Sequence, residues 1–208
     1  MNNTTVINHP LIQNKLTKAR NRMTDSKMFR ETINEIAGLM CYEATKDLKT
    51  VPMNIETPLA KTQGEVLSDG IVIVPIMRAG LGMVDAMHML IPHAKIGHIG
   101  LYRDETSFTP EKYYTKLPQD LKNSTVLLLD PMLATGGSVR RSYEILKEAG
   151  AKDIRFIGIV AAPEGIKAME EHCPDMRLYL AAIDEGLNDN KFITPGLGDA
   201  GDRLYGTK

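Results

Sequence analysis

A chain of 208 residues is long enough to bury one core, roughly 70% of its unfolded surface for a domain of ordinary size, so no disulfide or metal staple is required. Its 25 Lys and Arg against 26 Asp and Glu leave a net charge of −1, which excludes recruitment of nucleic acid or of an anionic membrane by overall field. The two cysteines, Cys41 and Cys173, match no C-x-x-C spacing and read as buried apolar filler in a reduced protein; the start has no signal-peptide pattern and the longest apolar run, 71–77, is too short to span a bilayer, so a soluble, cytoplasmic protein without a membrane partner is expected.

In chain order, a short helix is expected first. Phe29, Ile33, Ile36, Met40 and Ala44 then recur at helical spacing after Asp25 and Ser26, either of which could cap, and predict an amphipathic helix over about 25–48. Residues 51–58 break the periodicity, and Ile71-Val-Ile-Val74 reads as a strand buried on both faces. Beyond it the pattern alternates: helix about 80–91, strands 96–101 and 125–129, helix 137–149, strand 154–160, helix 163–172, strand 177–181. That order predicts an α/β fold with a mostly parallel central sheet flanked by helices, in a single domain spanning 1–208. Residues 103–120, polar and aromatic, are too long for a plain connection and read as a flap or hairpin arm.

The stretch Val126-Leu-Leu-Leu-Asp-Pro-Met-Leu-Ala-Thr-Gly-Gly-Ser138 is strand, loop, helix start. Backbone N–H groups at a helix start lack intrahelical partners, glycines let them converge, and the Thr135 and Ser138 hydroxyls add donors, so a phosphate fits there. Asp130 ends the strand, where open α/β sheets bind ligands. The segment Ile71-Val-Ile-Val-Pro-Ile-Met-Arg-Ala-Gly-Leu-Gly82 repeats the same logic, with Arg78 able to fork onto a second anion. Pro195-Gly-Leu-Gly-Asp-Ala-Gly-Asp202 contains G-x-G-x-x-G, but neither a helix pattern nor a βαβ unit follows, and a glycine-rich backbone laid against a flat base is the better reading.

Other constellations carry less. His88, His93 and His98 do not align on one helix face and are not expected to hold a metal. Met77, Met83, Met87 and Met89 read as core filler, Arg140 and Arg141 as surface charges, and no P-loop signature occurs.

Residues 126–138 resemble the signature by which type I phosphoribosyltransferases bind 5-phospho-α-D-ribose 1-diphosphate (PRPP): apolar strand, acidic residue, short spacer, Thr-Gly-Gly-Ser/Thr. Many members carry two adjacent acidic residues, and this chain has Asp130 followed by Pro131. With 74–82 and 195–203, the match is to the uracil branch, over essentially the whole chain. The resemblance implies transfer of the phosphoribosyl group to uracil. It implies PRPP contacts from Arg78, Arg103, Asp130, Pro131, Met132, Leu133, Ala134, Thr135, Gly136, Gly137, Ser138 and Asp199, and uracil contacts from Ile193, Gly198, Asp199 and Ala200 within a base loop at about 192–203. Asp130, Arg103 and Asp199 are its catalytic candidates, Asp199 touching PRPP or the water shell of a metal, or else accepting the N1 proton. Mg²⁺ is expected as cofactor, carried by PRPP and not by a protein cage, with Pro131 counting against such a cage. A homo-oligomer and a response to GTP are further implications. An RNA-binding pyrimidine regulator on the same fold, or a transferase for another base, is the alternative; near-zero charge and the lack of a basic stripe stand against RNA.

Overall fold

The computed structural model describes residues 3–103 and 110–207; the side chains of Arg103 and Pro110 lie outside that description. The chain opens with β1 (Thr4–Val6), α1 (Pro10–Arg20) and α2 (Ser26–Thr45). Asp25 is the cap of α2, its carboxylate accepting the Met28 N–H at 2.8 Å. Phe29, Ile33, Ile36 and Met40 are fully buried along one stripe, each such side chain contributing about 1.5–3 kcal/mol by leaving water.

β2 (Thr50–Glu56) and β3 (Lys61–Leu67) follow as an antiparallel hairpin, with Gly64 the one residue of either strand that is not exposed. This corrects the expectation of an irregular segment at 51–58. Val51, Met53 and Ile55 do alternate with polar positions, but Pro52 and Asn54 mimic loop residues. Pro52 is tolerated because β2 pairs on one side only.

Next come β4 (Gly70–Met77), a 3₁₀ turn at Ala79–Met83, α3 (Val84–Leu90), β5 (Lys95–Ile96), β6 (His98–Arg103) and β7 (Pro110–Lys116). The helix expected over 80–91 is thus half 3₁₀, Gly80 and Gly82 favouring helix poorly. The strand expected at 96–101 is two pieces. The expected flap supplies β7, the one antiparallel strand of the main sheet among the described residues; its tip, 104–109, lies outside them.

β8 (Ser124–Leu129), β9 (Met132–Leu133), α4 (Gly137–Glu148), β10 (Asp153–Ala161), α5 (Pro163–His172), β11 (Arg177–Ile183), β12 (Gly186–Leu187), β13 (Ile193–Thr194) and α6 (Ala200–Tyr205) complete the chain. The helix α6 corrects the expectation that none follows the glycine-rich loop. Among the described residues the main sheet runs β1-β11-β10-β8-β4-β6-β7, with β5 beside β4 and β9 beside β10.

Period two divides the sheet's side chains between two cores. Ile71 and Ile73, Leu127 and Leu129, and Ile157 and Ile159 face α1, α2, α3 and α6. Val72 and Val74, Val126 and Leu128, and Phe156 face α4 and α5. Burial on both faces explains why these strands read as unbroken apolar runs. Cys41 and Cys173 are buried and free, Met83 and Met87 are buried, and Met89 is 78% exposed, which corrects its reading as core filler.

Candidate active site

β4 and β8 lie side by side and parallel, Val74 opposite Leu128 and Pro75 opposite Leu129. From β4 the chain turns to α3 on one face; from β8 it turns to α4 on the other. Two adjacent strand ends whose loops diverge to opposite faces leave a crevice at their carboxyl ends, the switch point where open α/β sheets bind ligands. Here it is a cleft of about 260 Å³, walled by Arg78 and Ala79 after β4, by Asp130 and 132–139 after β8, and by Asp199 and Gly201 from the C-terminal segment. The loop after β4 packs so closely on β8 that a Cβ at Gly80 would stand 2.3 Å from the Leu129 carbonyl oxygen.

The helix α4 starts from Gly136 in the left-handed conformation, φ 83°, and no side chain caps it. The N–H groups of Gly137, Ser138 and Val139 therefore lack intrahelical partners and front the cleft with the positive end of a 12-residue helix dipole. Such an end binds phosphate without a dedicated side chain.

Asp130 sits at the β8 end of this wall, half-buried, with its carboxylate accepting the Met132 N–H at 3.1 Å. Burial pushes its carboxyl up to about 7, against the pull of that N–H. Opposite, Arg78 is 54% exposed and ion-paired with Asp202 at 3.2 Å, while the Tyr205 hydroxyl donates to the Arg78 carbonyl oxygen at 3.1 Å. α6 thus ties the C-terminal segment to the loop after β4.

Of the predicted PRPP residues, Arg78, Asp130, Asp199 and every member of 132–138 line this one cleft. Pro131 does not. It is buried, and its carbonyl oxygen accepts from both Ile159 and Val160 N–H at 3.0 Å, where the β8–β10 pairing breaks before resuming as β9. A residue with no N–H of its own suits that break, so Pro131 has a structural reason independent of any metal. The side chains of Ile193 and Ala200 are buried in the core, leaving only their backbone to meet a ligand, while Gly198 is exposed. Asp199 caps α6, accepting the Asp202 N–H at 2.9 Å. The side chain of Arg103 is outside the described residues.

Three residues outside the predicted set hold the C-terminal loop: Arg20, Asp184 and Arg203. Arg203 donates to the carbonyls of Ala19 at 2.6 Å, Leu197 at 2.8 Å and Asn21 at 2.9 Å, and lies 4.0 Å from the Phe29 ring centre. Asp184 immediately follows β11, so the strand-end carboxylate signal that singles out Asp130 applies to it as well.

A family model described as uracil phosphoribosyltransferase matches residues 6–207. The curated uracil phosphoribosyltransferase of Acholeplasma laidlawii is 56% identical over 203 residues, covering 98% of each chain, and that of Finegoldia magna is 52% identical over 209 residues, covering 100% of each. Among solved structures, a protein from Aquifex aeolicus superposes with a TM-score of 0.93 at 36% identity over 97% of each chain. A hypoxanthine phosphoribosyltransferase from Trypanosoma cruzi, at TM-score 0.51 and 11% identity over 76% of this chain and 75% of its own, shares the fold alone.

Proposed function

The chain belongs to the uracil phosphoribosyltransferase family, and on that premise we propose how its cleft moves the 5-phosphoribosyl group of PRPP to N1 of uracil, giving UMP and diphosphate. The fold is that of the type I phosphoribosyltransferases. The observation that carries the residue assignment is the uncapped α4 N-terminus facing the same cleft as Asp130 and Arg78.

In this reading the backbone N–H groups of 137–139, with the Thr135 and Ser138 hydroxyls, hold the 5-phosphate. Asp130 accepts hydrogen bonds from the ribose hydroxyls, and its charge favours the cation that grows at C1 as the bond to the diphosphate oxygen breaks. Arg78 and Arg103 meet the negative charge developing on the departing diphosphate, and charge stabilisation of this kind requires no covalent nucleophile. The exposed backbone around Gly198 holds uracil so that N1 can bond to C1 as its proton passes to the Asp199 carboxylate or to water, and Asp199 faces PRPP from the base side.

Mg²⁺ is assigned to PRPP itself, since a hard cation takes phosphate oxygens and keeps several waters. The cleft-wall carboxylates of Asp130 and Asp199 suit its outer shell; when bound it would neutralise charge on the diphosphate. A homo-oligomer is also proposed, supported by the exposed Val51, Met53, Ile55, Val66 and Leu67 of a hairpin that forms its own two-stranded sheet apart from the main one. An effector role for GTP and a cytoplasmic location are proposed from family resemblance; no helix among the described residues is long and apolar enough to cross a membrane.

Diphosphate release from PRPP and Mg²⁺ with uracil, cytosine, orotate, hypoxanthine and guanine in parallel tests the assignment, with chelator and GTP arms. Uracil is expected to support turnover that chelator abolishes and GTP raises. Activity with a purine and none with uracil would overturn the substrate.

A further inference from the structure

Asp184 follows β11 with its side chain only 4% exposed. A carboxylate so removed from water is stable as an anion only when paired and hydrogen-bonded. Arg20, the last residue of α1, supplies a fork: Nη2 lies 2.5 Å from Oδ1 and Nη1 2.8 Å from Oδ2. The same pair takes both polar groups of one loop residue. The Gly196 N–H donates to Asp184 Oδ2 at 2.8 Å, and Arg20 Nη1 donates to the Gly196 carbonyl oxygen at 2.9 Å.

Both backbone polar groups of Gly196 are therefore engaged, its N–H fully, and the Leu197 carbonyl is held by Arg203. Gly198 differs: it is exposed, and among the described residues its own N–H and carbonyl make no hydrogen bond. The arrangement is a clamped residue two positions before an unclamped one.

We propose that Arg20 and Asp184 are positioning residues for uracil, fixing the Gly196 peptide so that the backbone at Gly198 is aimed at the base before it arrives. The proposal rests on reading this loop as the base site. A planar fork is required, because a lysine ammonium at position 20 is a single point charge and cannot span both Asp184 oxygens and the Gly196 carbonyl together. A site preorganised to hydrogen-bond its ligand loses binding when its donors and acceptors lose their aim.

Steady-state kinetics test this on Arg20→Lys, on Arg20→Ala, on the double variant Arg20→Ala/Asp184→Ala, and on Gly198→Ala as a direct perturbation of the loop, with a thermal melt of each. Arg20→Lys is expected to raise the KM for uracil roughly tenfold, the loss of about one well-aimed hydrogen bond, with the KM for PRPP within about twofold. Arg20→Ala is expected to lower the melting temperature, because it strands a buried carboxylate. The double variant removes that carboxylate, so it is expected to recover melting temperature while the uracil KM stays raised. Recovery of both together would reduce the pair to a stability role and overturn the inference, as would an equal rise in the KM for PRPP. An unchanged uracil KM in Arg20→Lys alongside a raised one in Gly198→Ala would overturn it while leaving the base loop in place. If Gly198→Ala also left the uracil KM unchanged, the base-loop reading itself would fall.

Discussion

The guanidinium of Arg78 lies 3.2 Å from the carboxylate of Asp202, which makes the arginine at the cleft mouth a partner of the chain's last helix. The pair is exposed on the arginine side, and such pairs contribute at most about 1 kcal/mol to stability. Arg78 therefore adds little to the fold, while its side chain lines the cleft.

Arg78→Ala is expected to lower kcat/KM for PRPP about 10²-fold, the scale for one preorganised charge-stabilising donor, with a melting temperature within a few degrees of the native chain. Arg103→Ala is expected to lose turnover on the same scale. Kinetics with PRPP varied at saturating uracil, beside a thermal melt, check both; near-normal turnover in either variant would remove that arginine from the mechanism.

Asp130, the residue proposed to hold the ribose, also ties stability to pH. Its carboxyl is raised from 3.8 to about 7 by burial, so across that window the folded chain keeps a proton that the unfolded chain has given up. The resulting contribution to stability is fully present below about pH 4 and is lost as pH rises through 7. Asp130→Asn carries no such titration. It is expected to be more stable than the native chain at pH 8, by on the order of a few kcal/mol, with the gap closing toward pH 5, and to lose at least about 10²-fold in turnover. Urea melts at pH 5, 6.5 and 8 decide the stability half; a pH-independent gap would refute it.

Asp199 both caps α6 and fronts the cleft. Asparagine caps about as well as aspartate, so Asp199→Asn separates the two roles. Its melting temperature is expected to stay near native while uracil turnover collapses; Asp199→Ala should lose about 1 kcal/mol of stability as well. Full turnover in the Asn variant would end the proposed catalytic role.

At Gly136 the backbone has φ 83°, and a Cβ would stand 2.7 Å from Met169 Cε. Gly136→Ala is expected to cost about 2 kcal/mol, from left-handed strain and displacement of Met169, and to raise the KM for PRPP by shifting the start of α4. A urea melt and PRPP kinetics check the two effects independently.

The strand ending at Leu129, the glycine-rich start of α4 and the ends of α5 are readable because burial on two faces, helix-start chemistry and proline placement act over a few neighbouring residues. The β2–β3 hairpin is not readable because, among the described residues, none of its side chains joins either core, so its alternation carries proline and asparagine where a buried strand would not. α6 escaped because six residues after a glycine-rich loop give too little periodicity to register. In sequence Pro131 reads as a replacement for a carboxylate; its double hydrogen bond to β10 is a property of sheet pairing that no local pattern displays.

By itself, then, the order of residues determined the buried strands, the long helices, the family and the strand–loop–helix stretch at 126–138, since each is written in spacing within one segment. Only the tertiary structure decided that the ends of β4 and β8 are neighbours, that the C-terminal segment returns to Arg78, and that Arg20 meets Asp184 across 164 positions of chain. Those relations arise when the sheet closes and helices divide between its faces, a packing outcome fixed by which apolar surfaces bury together over the whole chain.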